Sequence, residues 1–345
     1  MKMRAALFFG PSDVRLETVD VPSIGPGEVL VKVGTALTCG TDLKAYRQGH
    51  PVLLGTHLPA PFGHELAGTI AEVGRGVTHF QKGMRVVAAN SAPCDRCYFC
   101  RHGKPNLCDN LKLLNGAYAE YIRIPEQIVK HNLYEIPDSL SFKAAALTEP
   151  LACAVHAFER LQIRPIDSVV LLGCGIMGLL FCNVAKIHGV DVIAVGRNPQ
   201  KLARAKALGL RAVVDVADLA DPSASILAHT PENRGADFVV EVVGRPEAWE
   251  QAFRLVRKGG TVCLFAGCKK GSYFKCDTHR AHYEEVSVTG VFHHTPVHFA
   301  QALQYIVDGK VSVDSLITSE LRLDEIPNFF RSTLGTSPFK AAVIP

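Results

Sequence analysis

Cys94, Cys97, Cys100 and Cys108 fall at C-x2-C-x2-C-x7-C spacing. Four thiolates spaced this way can wrap one zinc ion tetrahedrally and close its coordination shell, so the site is expected to be structural rather than catalytic. Two other readings of the spacing fit less well. Disulfides belong to oxidising compartments, and nothing else here looks exported. The bacterial ferredoxin run, C-x2-C-x2-C-x3-C-P, differs in its last interval. Segment 91–110 is therefore read as a zinc lobe. The remaining Cys, His and Glu residues become candidates for a second, open metal position.

The 345 residues suggest two domains, each with its own core. A net charge of +4, with both signs scattered, argues against a nucleic-acid partner. The opening Met1 to Gly10 holds too short an apolar run for a signal peptide. Ser168 to Ala185 is uncharged over 18 residues, but Gly173, Gly175 and Gly178 break it into strand, turn and helix, which argues against a membrane span. Eleven cysteines without an export signal point to a reducing, cytoplasmic setting.

Up to residue 150 the chain reads as β-rich. Val29–Val33 alternates after Gly25-Pro26-Gly27, and Leu66–Val73 and Met84–Ala89 are further strands. The pattern changes at Glu149-Pro150, where helical spacing begins over Leu151–Leu161. From Asp167, strands 168–172, 192–195, 238–242 and 261–265 alternate with helices 178–188, 199–208 and 247–255. Such alternation predicts an α/β domain with a parallel sheet covered on both faces.

Val169-Val170-Leu171-Leu172-Gly173-Cys174-Gly175-Ile176-Met177-Gly178 is a strand entering G-x-G-x-x-G and a helix. Gly173 makes the turn, Gly175 lets the backbone approach a pyrophosphate, and Gly178 lets helix and strand pack closely. Ile176 and Met177 open the helix whose N–H groups would face the phosphates. At the end of the next strand, where an acid would bind the ribose of NAD, stand Gly196 and Arg197. A guanidinium there can bind a 2′-phosphate, so NADP is preferred and NAD remains possible. The alternative is that Arg197 faces solvent and NAD binds without the acid.

Cys39-Gly40-Thr41-Asp42, Gly63-His64-Glu65 and Glu149-Pro150 supply one sulfur, one nitrogen and one oxygen ligand from Cys39, His64 and Glu149, leaving a fourth position open. A zinc so held is a Lewis acid that polarises a carbonyl or acidifies an alcohol. Glu65 is either a group that orients a ligand or an exchanging fourth ligand.

Together these residues resemble the zinc-dependent medium-chain dehydrogenase/reductase family over essentially the whole chain. Glu149-Pro150-Leu151 is similar to the polyol (sorbitol/iditol) and threonine dehydrogenase branch. The resemblance implies a GroES-like catalytic domain from 1–150 and 291–345, with a Rossmann domain over 151–290 and the active site in the cleft. It implies two zincs per chain and a homodimer or homotetramer joined through strand 286–291. It also implies that Thr41 takes the alcohol proton. The family's relay histidine five residues after the zinc cysteine is replaced by Lys44. Lys44, Tyr46, His57, Phe292, His293 and His294 are candidate pocket residues, and their polarity suits a polyol or sugar. Two other readings compete: an NAD-dependent threonine-type dehydrogenase, and a catalytically silent NADPH-binding relative with only the structural zinc.

Overall fold

Alternation predicts a strand only over Val29–Val33, but the strand formed is Val29–Leu37. Beyond Val33 it loses its alternation because Thr35, Ala36 and Leu37 are all buried. In the computed structural model, residues 1–50, 54–55, 57–311, 313, 315–333 and 339–345 are described. The chain divides into two units: 1–152 with 294–345, and 153–293.

Strand Val29–Leu37 lies mid-sheet in the first unit. It pairs antiparallel with Glu65–Val73, with Tyr121–Ile124 and with the C-terminal strand Lys340–Ile344. Glu65–Val73 pairs in turn with Arg85–Ala88, and Lys340–Ile344 pairs in parallel with Ile317–Arg322. The C-terminal strand thus joins the same sheet as strands from the first third of the chain. Phe8, Phe62, Tyr118 and Phe330 pack together in the core of this unit.

The second unit is a six-stranded parallel sheet. Its spatial order is Ala212–Asp215, Val192–Gly196, Val169–Leu172, Ala236–Glu241, Val256–Leu264, Ser287–Gly290. Strand order reverses beside Val169–Leu172, the switch point where doubly wound sheets bind ligands. This is the expected α/β fold. Val169–Leu172 is buried along its length, as a central strand covered on both faces requires. Two features depart from the sequence reading. Ala212–Asp215 is an additional edge strand. The strand expected to begin at Thr261 begins at Val256 and runs through Gly259, which takes φ +66°.

Candidate active site and metal centres

The short helix Tyr98–Arg101 and the tight turn Pro105–Leu107 fold the cysteine lobe back on itself. All four sulfurs of Cys94, Cys97, Cys100 and Cys108 lie within 4.8 Å of one another. Cys97 Sγ is 3.5 Å from Cys100 Sγ and 3.8 Å from Cys108 Sγ. Four sulfurs at Zn–S bond length in a tetrahedron stand about 3.8 Å apart. Backbone N–H groups of Cys94 and Asn110 point at Cys108 Sγ, each at 3.3 Å. The backbone N–H of Arg96 pulls the Cys94 thiol down to about 6, while burial pushes Cys100 up to about 12. A divalent cation is what would let all four ionise together, so spacing and chemistry both fit zinc.

The second centre is assembled from separate elements. Cys39 is the N-cap of helix Gly40–Gln48. Its sulfur accepts from Thr41 N at 3.4 Å, and its own N–H donates to Asp42 Oδ2 at 3.2 Å. Gly63, at φ +86°, turns the chain so that His64 and Glu65 enter strand Glu65–Val73. The ligand atoms of Cys39, His64 and Glu65 lie within 4.8 Å of one another. His64 Nδ1 is 3.0 Å from Asp42 Oδ1, off the line a good hydrogen bond takes. Burial works against an imidazolium, but Asp42 and Cys39 outweigh it and hold His64 well above its ordinary value. A buried histidine drawn toward a positive charge by a thiolate and a carboxylate marks a place built for a cation. The donor set of sulfur, nitrogen and oxygen fits zinc.

Glu65 is held by Lys340, whose Nζ donates to its two oxygens at 2.6 and 2.5 Å and to Thr38 O at 3.0 Å. Both side chains are almost fully buried. Burial disfavours the Lys340 ammonium, yet Glu65 holds its pKa above the usual lysine range. Glu149, in the first turn of helix Thr148–Leu161, lies against Asn90 and His294. Its carboxylate is pushed up to about 7 by burial and by the charge of Glu65. His294 Nε2 is 3.3 Å from Asn90 Oδ1 and 3.7 Å from Glu149 Oε1.

In the second unit, Gly173 takes φ +114° at the end of its strand. A Cβ on Gly178 would stand 2.0 Å from Gly173 O, whereas a Cβ on Gly175 would meet nothing within 4 Å. Gly178 is therefore demanded by packing, and Gly175 leaves open space before helix Ile176–Ile187. A Cβ on Gly196 would meet Leu202 Cδ2 at 3.0 Å and Cys174 Sγ at 3.1 Å. Arg197 is exposed, and Asn198 caps helix Pro199–Ala207 by accepting from Lys201 N at 3.1 Å.

Residues 25–138 match the alcohol dehydrogenase GroES-like domain, and 177–308 match the zinc-binding dehydrogenase family. A sorbitol dehydrogenase of Bacillus subtilis (strain 168) is 31% identical, over 94% of this chain and 91% of its own length. The chain belongs to the zinc-dependent medium-chain dehydrogenase/reductase family. An L-threonine 3-dehydrogenase of Symbiobacterium thermophilum is 35% identical over 76% of this chain and 74% of its own. A zinc-binding dehydrogenase of Sinorhizobium meliloti 1021, solved bound to NADP, superposes with a TM-score of 0.92. It is 30% identical, and each chain is covered completely. The protein is thus a zinc-dependent, NAD(P)-linked alcohol dehydrogenase that acts on CH–OH groups of a small molecule. Among the described residues no helix is long and apolar enough to cross a membrane.

The dehydrogenase distributes its expected pocket residues unevenly. Tyr46 is a core side chain: it is 1% exposed, its hydroxyl donates to Ser12 O, and its ring packs on Phe330. That corrects the expectation that it lines a pocket. His57, Lys44 and Phe292 are exposed, and Thr41 is half-buried beside Cys39. The carbonyl of His293 is 2.7 Å from His156 Nδ1. Asp42, Asn90, Tyr118 and Lys340 stand around the candidate ligands and were not among the expected site residues. Asp42 sits in the Cys39-Gly40-Thr41-Asp42 motif, and Lys340 is one cation opening the apolar run Ala341-Ala342-Val343-Ile344.

Proposed function

We propose that the dehydrogenase interconverts a polyol or sugar secondary alcohol and its ketone, prefers NADP to NAD, and holds two zincs per chain. The meeting of Cys39, His64 and Glu65 in a buried setting that calls for a cation carries this reading. Cys94, Cys97, Cys100 and Cys108 would hold the structural ion. Cys39, His64 and Glu149 would hold the catalytic ion, with Glu65 exchanging in when Lys340 releases it. Bound there, zinc supplies Lewis acidity toward an alcohol oxygen, and nicotinamide accepts the hydride.

The chain's own residues do the rest. Asp42 orients the His64 ring, and its carboxylate fixes Cys39 through the Cys39 N–H at the start of helix Gly40–Gln48. Thr41, two residues beyond Cys39, would relay the proton of the substrate hydroxyl, passing its own hydroxyl proton on to water as it accepts. The open face of Gly175 and the start of helix Ile176–Ile187 take the pyrophosphate. Gly196 carries no carboxylate to repel a 2′-phosphate, and Arg197 offers it a guanidinium. Likeness to a sorbitol dehydrogenase supports a polyol substrate. Strand Ser287–Gly290 ends its sheet with mostly exposed residues, an edge suited to pairing with a second copy in a homodimer or homotetramer.

Likeness to an L-threonine 3-dehydrogenase favours a second reading, an NAD-linked amino-alcohol dehydrogenase. Nicotinamide reduction with NADP and NAD in parallel, against polyols, sugars, threonine and simple secondary alcohols, separates the two. Turnover of a polyol or sugar with NADP supports the first reading, and turnover of threonine with NAD replaces it. No turnover by a chain holding one zinc identifies a silent relative.

A further inference from the structure

The buried carboxylate of Asp42 is hydrogen-bonded through Oδ2, which leaves Oδ1 turned to His64. Oδ1 faces His64 Nδ1 at 3.0 Å. Oδ2 accepts from Cys39 N at 3.2 Å and from the hydroxyl of Tyr118 at 2.5 Å. Tyr118 lies 76 residues beyond Asp42 and is itself fully buried. Its backbone is tied to the segment that delivers His64: Tyr118 N donates to Phe62 O at 3.0 Å, and Gly116 N and Ala117 N donate to Gly63 O at 2.7 and 2.9 Å. Its ring lies against Gly63, where a Cβ would come within 2.8 Å of it, and packs edge-on against Phe62. One side chain therefore touches the backbone that turns into His64 and also grips the carboxylate that faces its imidazole.

We propose that Tyr118 is a positioning residue of the catalytic metal centre: its hydroxyl fixes the rotation of Asp42, and Asp42 fixes the ring of His64. With Oδ2 held by two donors, the carboxylate plane cannot turn, and Oδ1 stays directed at Nδ1. The carboxylate charge beside Nδ1 would hold the ring in place and leave Nε2 as the ligand atom. Cys39 is tied into the same unit through its N–H on Oδ2, so the hydroxyl braces two candidate ligands at once. The proposal rests on the reading that Cys39 and His64 hold zinc.

Tyr118→Phe removes the hydroxyl and keeps the ring that Gly63 and Phe62 pack against, so the variant should fold. The test is the rate at which a chelating dye strips zinc from the wild type and the variant, read together with the visible spectrum of cobalt-substituted protein. The four-cysteine zinc serves as the internal reference. In the variant, one zinc should leave about tenfold faster, as for loss of a group that holds a metal ligand in place. The cobalt bands should shift, and the slower zinc should leave at the wild-type rate. Identical stripping and identical spectra in the two proteins would overturn the role. Equal acceleration of both zincs would also overturn it, because the hydroxyl would then be a general fold contact. A wild type with zinc only at the cysteines would remove the underlying reading as well, and metal content in Cys39→Ser distinguishes that failure from the others.

Discussion

The two candidate metal centres of the first unit are built in opposite ways. The cysteine lobe draws four like ligands from one short segment, lies near the surface, and is stiffened by N–H groups of its own loop. The Cys39–His64 centre gathers unlike ligands from distant positions. It surrounds them with buried partners: Asp42 from the helix that Cys39 caps, Tyr118 from the segment before strand Tyr121–Ile124, and Lys340 from the C-terminal strand. A closed structural site can be local because it only has to exist. An open site must hold charge away from water and keep a position free, which needs support from the whole sheet.

That contrast predicts a difference in what breaks. Cys39→Ser should lower turnover by roughly three orders of magnitude, since several kcal/mol of transition-state stabilisation go with the Lewis acid. NADPH binding, followed by fluorescence titration, should be nearly unchanged, and surviving turnover would discard the catalytic reading of Cys39. Cys97→Ser should instead lower the melting temperature by disrupting the lobe.

Lys340→Met comes next in size. It strands the buried Glu65 carboxylate and should cost about 3–5 kcal/mol in urea unfolding, while adding Glu65→Gln should restore most of it. If the single and double variants unfold alike, the ion pair is not what holds this end of the sheet.

A smaller effect concerns Glu149, whose folded carboxylate titrates near 7 against an ordinary 4.5. The folded state therefore keeps a proton that the unfolded chain has released. The associated stability is present below the ordinary carboxylate range and is lost as pH rises toward 7. In Cys39→Ser protein, which lacks the catalytic ion, this loss should reach at most about 3 kcal/mol. Adding Glu149→Gln should flatten it, and an unchanged pH dependence of unfolding would deny Glu149 its buried, charge-crowded setting.

Smallest is the cofactor switch. Gly196→Asp should move preference toward NAD by about tenfold, equivalent to 1.4 kcal/mol. The new side chain must displace Leu202 and Cys174, so Gly196→Asp with Cys174→Ala should shift further. A ratio of NADP to NAD turnover that does not move in either variant would clear Gly196 of any role in cofactor choice.

The same contrast explains what could be read in the sequence. The lobe is legible because its ligands are neighbours. Cys39, His64 and Glu149 are legible as residue types in short motifs. Asp42, though close to Cys39, faces a histidine that enters from just before strand Glu65–Val73. Lys340 meets Glu65 across 275 residues, a pairing no local pattern encodes. Tyr46 misled for a related reason: it follows the zinc cysteine on the same helix, but its face of that helix points into the aromatic core. In the second unit the buried central strands stand out as apolar runs. Ala212–Asp215 is short, half-exposed and at the edge, so its composition does not separate it from a loop. The strand expected from Thr261 extends back through Gly259-Gly260 to Val256, and the pairing of Val256–Leu264 with its neighbour carries a register irregularity there.

Two differently built zinc sites in one chain require two zincs per chain in purified wild type and one in Cys39→Ser, read by metal analysis. One zinc in both proteins would mean that only the four-cysteine site holds metal.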